Sequence, residues 1–107
     1  MARFDVYPNP NPNPAAAAIP YLLDVQSDLL DDLQSRVVVP LRLADRSPAA
    51  KIQGSLMPML VVAGVECVLE TPKLAAVPKR ILKSPLTNLA AHRDVITRAL
   101  DFLFQGY

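Results

Sequence analysis

The 107-residue sequence predicts a mainly β domain with one C-terminal helix. Three observations support this fold class. Short apolar runs recur between turn-forming residues, several of these runs alternate apolar with polar side chains, and helical periodicity is confined to the end of the chain. Hydrophobic residues make up 51% of the chain and charged residues 20%, enough for one self-sufficient core. We therefore expect residues 1–107 to form a single domain.

The N-terminal part is predicted to contain two strands and the loop that joins them. Phe4–Tyr7 is a short β-prone segment, and residues 19–26 resume the alternation of a half-buried strand. Between them, four prolines alternate with asparagines and are followed by four alanines. Proline lacks the N–H that a sheet ladder requires, so the Pro/Asn/Ala-rich segment 8–18 is predicted to be a protruding inter-strand loop with polyproline character.

An acidic turn and a central strand are expected next. Residues 27–35 are mostly polar, although Leu29 and Leu30 place apolar bulk on the predicted turn. Residues 36–43 contain Val37-Val38-Val39, which is typical of a central strand.

The middle of the chain predicts a hairpin and a last strand. After a loop at 45–51, apolar runs at 56–63 and 65–69 flank Ala63-Gly64. Because glycine readily adopts positive φ, this dipeptide favours a tight β-hairpin turn. A final short strand is expected at 76–82, broken by Pro78.

The helix is predicted to begin near Ser84, with Pro85 in its first turn and helical periodicity from Leu86 onward. The stripe expected to face the sheet consists of Leu89, Ile96, Leu100 and Leu103, with His92 and Ala99 on one side and Phe104 on the other. Val95 and Phe102 lie off this stripe and predict a second apolar patch for a partner.

Composition argues against several functional classes. The net charge is +1 and the charges are dispersed, so no direct nucleic-acid binding is expected; the densest basic group, Lys79, Arg80 and Lys83, is interpreted as solvated surface. With one cysteine, Cys67, no intrachain disulfide can form, and one Cys with one His cannot supply a zinc site. The start lacks a signal-peptide run and no stretch is long enough to span a membrane, so a cytoplasmic protein is expected.

No group of residues predicts catalysis. His92 is interpreted as a locally hydrogen-bonded residue and Cys67 as a small core residue, since neither has an evident catalytic partner. The three glycines are too scattered for a phosphate-binding loop. The acidic residues lack the spacing of a calcium loop and are interpreted as a solvated turn: Asp24, Asp28, Asp31 and Asp32. We expect no enzyme activity, no cofactor and no metal.

Several segments, in order, carry a resemblance to a known family. Residues 23–31, Leu-Asp-Val-Gln-Ser-Asp-Leu-Leu-Asp, followed by Arg36-Val-Val-Val-Pro-Leu41, resemble the CcdB toxins of bacterial toxin–antitoxin modules. The shorter matching segments are Phe4-Asp-Val-Tyr7, Leu74-Ala-Ala-Val-Pro78, His92-Arg93 and Phe104-Gln-Gly-Tyr107. Residues 43–56 match weakly, and the Pro/Asn insertion is peculiar to this chain.

The resemblance implies a homodimer of small SH3-like, barrel-like antiparallel domains, each with a C-terminal helix. It implies binding to the DNA gyrase A subunit, trapping of the cleaved-DNA complex, and neutralisation by a CcdA-like antitoxin. Carried over position by position, the gyrase-binding residues are Phe4, Ser27, Leu29, Asp101, Gln105, Gly106 and Tyr107. The dimer contact is expected to include Phe102 and Leu103.

The chain departs from the family at its C terminus, where Gln105 replaces a tryptophan and Tyr107 an isoleucine. The family's tryptophan stacks on a gyrase arginine, and glutamine has no ring. Losing such an anchor is typically worth at least ~2 kcal/mol, about thirtyfold in affinity. One alternative is therefore a toxin with a different or lost target.

A second alternative is a MazF-like endoribonuclease toxin on the same architecture, because a fold alone does not fix function. Such an enzyme would need a basic groove with a paired acid and base. The available arginines are Arg3, Arg36, Arg42 and Arg46, but no base is evident near them.

Overall fold

The computed structural model describes residues 1–46 and 54–106. Within these ranges the chain forms a seven-stranded antiparallel sheet and a C-terminal helix. The strands are β1 (Asp5–Pro8), β2 (Tyr21–Asp24), β3 (Ser35–Leu43), β4 (Met59–Val62), β5 (Val65–Leu69), β6 (Ala75–Pro78) and β7 (Thr87–Asn88), and the helix is α1 (Arg93–Gln105). The predicted fold class, a mainly β domain with one C-terminal helix, is confirmed.

The sheet curls because its longest strand changes partners along its length. The strand order is β4-β5-β3-β2-β1-β7, and β6 also pairs with β3. Ser35 to Val38 of β3 pair with β6, whereas Leu41 to Leu43 pair with β5 on the same edge. Since right-handed twist accumulates along such a long strand, the sheet closes into a half-barrel.

Apolar side chains are buried on both faces of the sheet. The larger cluster lies between the sheet and α1 and includes Val6, Leu23, Val39, Ile96 and Ala99. A smaller cluster covers the other face and consists of Tyr7, Leu22, Val38 and Leu82, with Val77 packed against it. The expected half-buried alternation in β2 is therefore wrong, since residues 22–26 are all buried.

The hairpin prediction is confirmed. β4 and β5 are joined by Ala63 (φ 50°) and Gly64 (φ 82°), both in the left-handed region that a two-residue hairpin turn of the I′ type requires. Strand β4 lies at one end of the sheet order. The part of the predicted 45–51 loop after Arg46 lies outside the described residues.

The predicted helix start near Ser84 is wrong, because α1 begins at Arg93. The intervening residues form β7 instead, which pairs with β1. The Leu86 N–H donates to the Val6 carbonyl at 2.7 Å, and the Leu89 N–H donates to the Phe4 carbonyl at 2.8 Å. Backbone pairing with a strand at the other end of the chain therefore outweighs the local helix signal of Ser84-Pro85.

The segment between β1 and β2 is held by successive asparagine turns. The Oδ1 atoms of Asn9, Asn11 and Asn13 accept hydrogen bonds from the N–H two residues later, at 2.9 to 3.0 Å. A short 3₁₀ helix, Pro14–Ala18, follows. No helix among residues 1–46 and 54–106 is long and apolar enough to cross a membrane.

Candidate partner-binding face

Phe4 sits at the start of β1 in a strained backbone conformation. Its φ is 73°, in the left-handed region, which costs a non-glycine residue about 1–2 kcal/mol. The Phe4 N–H donates to the Asp24 carbonyl at 2.7 Å, and the Phe4 carbonyl accepts from Leu89. These bonds hold Phe4 between the end of β2 and the end of β7, with its side chain only 3% exposed.

The acidic turn after β2 projects a leucine into solvent. Ser27 Oγ accepts the N–H of Leu29 at 3.2 Å and caps a short 3₁₀ helix, Asp28–Leu30. The Leu29 side chain is 93% exposed. The Arg3 N–H donates to Asp28 Oδ1 at 2.7 Å, so the turn is fastened to the N-terminal segment that carries Phe4.

Gln26 braces this turn from inside. Its side-chain Oε1 accepts the N–H of Val37 at 3.0 Å, while its Nε2 donates to the Leu30 carbonyl, also at 3.0 Å. Gln26 is only 6% exposed, and both bonds are partly buried. The turn is thereby fixed to strand β3 rather than left free.

A buried ion-pair network braces the other end of the turn. Arg36 and Asp24 are fully buried; Arg36 Nε donates to Asp24 Oδ2 at 2.8 Å, and Nη2 lies 2.7 Å from the same oxygen but off the hydrogen-bonding direction. Arg36 Nη1 donates to Asp31 Oδ1 at 3.0 Å, and Lys79 Nζ donates to the Asp31 carbonyl at 2.8 Å.

Asp24 corrects one expectation drawn from the sequence. It was expected on the solvated acidic turn but is buried, because its carboxylate pairs with Arg36. Burial raises the pKa of the Asp24 carboxyl, and the hydrogen bonds from the Gln26 N–H and Arg36 oppose that rise. Asp28 and Asp32 are exposed and Asp31 is half-buried, as a solvated turn requires.

The first half of α1 faces the N-terminal segment across an open cleft. Its volume is about 580 Å³, and we call it the arginine cleft. The guanidinium carbon of Arg3 lies 4.8 Å from the Phe4 ring centroid, and that of Arg93 lies 5.8 Å from the same centroid. The other residues around the cleft are Ser27, Asp28, Asn88, Ala90 and Thr97.

The remaining residues carried over from the family lie further along α1. Asp101 and Gln105 follow Arg93 and Thr97 at four-residue spacing, so all four project from one side of the helix. Both Asp101 and Gln105 are exposed. Gly106 ends the helix in the left-handed conformation (φ 80°), and its N–H donates to the Phe102 carbonyl at 2.9 Å. Tyr107 lies outside the described residues.

An apolar groove of about 420 Å³ borders Ser27 on the side away from the arginine cleft. Phe104, 70% exposed, lines it from the end of α1. The apolar residues facing Phe104 across the groove include Leu30, Leu33 and Leu74. Ser27 therefore separates a charged cleft from an apolar one.

The predicted second apolar patch of α1 is exposed. Val95 is 38% exposed and Phe102 is 40% exposed, whereas Leu103 is half-buried. Val95 and Arg98 face Pro58, next to edge strand β4, so this patch lies on a different side of α1 from the arginine cleft.

Cys67 and two of the arginines considered for a ribonuclease site, Arg36 and Arg42, are buried in the core or held in ion pairs. Cys67 is fully buried, and burial raises the pKa of its thiol, as expected of a core residue. Arg36 is committed to Asp24 and Asp31, and Arg42 Nε donates to Glu70 Oε1 at 2.8 Å. The described residues contain no group of three or more His, Cys, Asp or Glu side chains able to hold a metal ion.

Several residues of this face were not singled out from the sequence. Arg93 and Thr97 belong to the arginine cleft, and Gln26 braces the turn, but none was named as a candidate. Arg3, next to Phe4, and the pair Arg93 and Thr97 are about ninety residues apart in the sequence, yet they line one cleft. No local sequence pattern shows that the N-terminal segment meets the start of α1, because their contact depends on the pairing of β1 with β7.

The chain matches a known protein family over almost its whole length. The family model described as CcdB protein matches residues 3–106. The matched stretch contains all seven described strands, α1 and all of the candidate gyrase-binding residues carried over from the family except Tyr107.

Proposed function

The chain belongs to the CcdB family and is thus a toxin of a toxin–antitoxin module, and we propose that its target is the A subunit of DNA gyrase. In this proposal the toxin traps the cleaved-DNA complex by protein contact, without catalysing a reaction. It acts as a homodimer in the cytoplasm, where a CcdA-like antitoxin neutralises it.

One observation carries the proposal: residues from three distant segments meet on one face. Phe4 and Ser27 line the same cleft as Arg93 and Thr97, and Asp101 and Gln105 continue along the same side of α1. Segments separated in sequence are thus gathered on one face, and the described residues include no group of three or more His, Cys, Asp or Glu side chains able to hold a metal ion. This arrangement suits recognition of a macromolecule.

Leu29 is the strongest candidate for an anchor on this face. A leucine that is 93% exposed gains nothing from its own fold. Burying such a side chain at an interface yields roughly 1.5–3 kcal/mol, and Gln26 and Ser27 already hold its backbone in place. The turn therefore presents the apolar Leu29 side chain in a fixed position before any partner binds.

Phe104 takes the role of the family's tryptophan in this proposal. Gln105 is exposed but supplies no ring, whereas Phe104 is 70% exposed. Successive helix residues point about 100° apart, so Phe104 projects toward the apolar groove rather than along the line of Asp101 and Gln105. An aromatic contact with gyrase through Phe104 would therefore lie at the apolar groove, near Leu30, and not at the position of Gln105.

In this proposal the dimer contact lies on the side of α1 opposite Arg93. Val95 and Phe102 form the exposed apolar patch there, with Leu103 beside it. A two-fold contact at this patch leaves the arginine cleft and Leu29 free for the target, and Gln105, three residues after Phe102, borders the contact.

The test is a gyrase assay with purified protein and negatively supercoiled or relaxed plasmid. We expect the wild type to block supercoiling and to accumulate cleaved plasmid, and Leu29→Asp to lose both effects because a carboxylate cannot enter an apolar contact. Leu86→Asp is the matched control, since Leu86 is an exposed leucine (54%) outside the face. Intact supercoiling at excess wild-type protein would contradict the proposal.

Gln105 supports a second candidate, a family toxin whose target has changed or been lost. Expression without growth arrest, together with tight binding to the antitoxin, would favour this candidate. Gln105→Trp discriminates between the two. If it converts an inactive protein into a gyrase poison, the missing ring explains the lost target; if the wild type is already active, the Gln105 substitution is tolerated.

A further inference from the structure

Two arginines share one aromatic ring in the arginine cleft. Arg3 comes from the N-terminal segment and Arg93 from the start of α1, and their guanidinium carbons lie 4.8 and 5.8 Å from the Phe4 ring centroid. Both distances fall within the range of cation–π contacts. The ring therefore supports two positive charges that approach it from different elements.

Neither guanidinium is neutralised by a neighbour. Within residues 1–46 and 54–106, the ion pairs of the fold involve Arg36, Arg42, Lys73 and Lys79, but not Arg3 or Arg93. Arg3 Nε donates to the Val25 carbonyl at 3.1 Å, which fixes the orientation of its guanidinium and leaves the two terminal nitrogens uncommitted. Two positive charges within reach of one ring repel each other, and an anion bound in the cleft would reduce that repulsion.

The chemistry of the cleft selects the type of anion. A guanidinium offers paired N–H donors that match the two oxygens of a carboxylate. Asp28 also lines the cleft, and its Oδ1 accepts the Arg3 backbone N–H. The two arginines and the Asp28 carboxylate together carry one positive charge, which a single acidic group would neutralise. The successive phosphates of a nucleic acid would be repelled by Asp28.

We propose that the arginine cleft receives one acidic side chain, aspartate or glutamate, of the protein to which the toxin docks. This inference rests on the proposed function, because the cleft shares Phe4 and Ser27 with the proposed gyrase-binding face. It adds a specificity element: the target presents a carboxylate to Arg3 and Arg93, next to the apolar surface that receives Leu29.

The first test uses a small probe and does not depend on gyrase. Isotope-labelled protein is titrated with N-acetylglutamate α-amide, which carries one carboxylate, and the side-chain Nε–H signals of Arg3 and Arg93 and the amide signal of Thr97 are followed. Saturable shifts of all three signals at millimolar probe are expected in the wild type and in the control Arg80→Gln. In the Arg3→Gln/Arg93→Gln variant, where only the Thr97 amide remains to be followed, no saturable shift is expected. Absence of saturable shifts overturns the inference.

A parallel titration with a single-stranded oligothymidylate separates the two classes of ligand. If the oligonucleotide shifts the same signals at lower concentration than the carboxylate, the cleft binds nucleic acid and the inference is wrong. Thermal melting of each variant first establishes that it is folded. Arg3 is half-buried and Arg93 is exposed, so we expect the Gln variants to melt close to the wild-type temperature.

The second test measures affinity for the gyrase A subunit. Arg3→Gln and Arg93→Gln are each expected to weaken binding at least about tenfold, with a smaller dependence on salt. Arg80→Gln removes the same charge from an exposed residue beside Pro10 and Asn11, away from the arginine cleft and from α1, and should bind like the wild type. Equal affinity of all variants overturns the inference and leaves the proposed function standing. If the wild type does not bind gyrase, the proposed function fails, and the probe titration decides the inference.

Discussion

At the scale of single residues, the buried polar groups explain how the face is held in shape. Gln26 satisfies one backbone group of the acidic turn and one of β3, and Arg36 joins Asp24 to Asp31. Removing one partner of a buried pair leaves the other without compensation, which costs more than the pair contributes. These residues position Ser27 and Leu29 without being exposed to a partner themselves.

Tyr7 gives a prediction about alkaline stability. Its hydroxyl is buried and lies 3.4 Å from Asp5 Oδ2. Burial, with the nearby charges of Asp5 and Asp24, raises the pKa of Tyr7 from 10.0 to about 12. The folded state therefore holds this proton more tightly than the unfolded state, so the stabilisation is complete below pH 10.0 and is lost as the pH rises toward about 12.

Denaturant unfolding at several alkaline pH values measures this effect. Between pH 10.0 and about 12, the free energy of unfolding of the wild type should fall by about 2 kcal/mol more than that of Tyr7→Phe. Tyr21→Phe, at a half-buried tyrosine, is the control for loss of a phenol. Parallel curves for the wild type and Tyr7→Phe would show that Tyr7 has no raised pKa.

Residue patterns in the sequence predicted some positions and missed others for physical reasons. Cys67 was correctly assigned to the core because its neighbours are apolar. Asp24 was placed on a solvated turn, because its partner Arg36 comes from the next strand and its burial is a tertiary effect. The approach of Arg3 and Arg93 to one ring is equally non-local.

At the scale of elements, local sequence patterns predicted correctly those elements whose conformation depends on neighbouring residues alone. The Ala63-Gly64 turn was predicted because Gly64 readily adopts the positive φ that a tight hairpin turn requires. The start of α1 was misplaced because Ser84-Pro85-Leu86 carries a helix-start pattern, yet Thr87 and Asn88 complete the sheet beside β1. The Asn88 Oδ1 then accepts the Ala90 N–H and starts the short turn leading to α1.

The hairpin provides a prediction at this scale. Ala63 has φ 50°, which strains an alanine, whereas asparagine adopts this region more readily. Ala63→Asn should therefore raise the free energy of unfolding by roughly 0.5–1 kcal/mol. Chemical denaturation of the purified variant measures the change.

Ala17→Asn is the matched control for the hairpin variant, because Ala17 is exposed but is not among the residues with positive φ. It should not be stabilised. If Ala63→Asn leaves the stability unchanged or lowers it, the turn does not store the strain that its φ angle indicates.

At the scale of the whole molecule, the proposals place two partners on two sides of α1. One side carries Arg93, Thr97, Asp101 and Gln105, beside Phe4 and the acidic turn. Another carries the exposed side chains of Phe102 and of Val95, which lies beside Pro58, just before β4. This separation would allow a dimer to keep both of its target-binding faces open.

Phe102→Asp tests the dimer assignment. A carboxylate buried in an apolar two-fold contact has no compensating partner, so the variant should sediment as a monomer at concentrations where the wild type is a dimer. Leu103→Lys should have the same effect, although Leu103 is half-buried and contributes more to the fold. Leu86→Asp is the control, and an unchanged dimer in Phe102→Asp would contradict the placement.

The most direct test of the docking face is amide hydrogen exchange of the toxin with and without the gyrase A subunit. We expect slower exchange in the complex at residues 3–4, 27–30 and 97–106, with no change in the asparagine–proline segment 8–18. Protection confined to segment 8–18 or to edge strand β4, with residues 27–30 unchanged, would contradict the account.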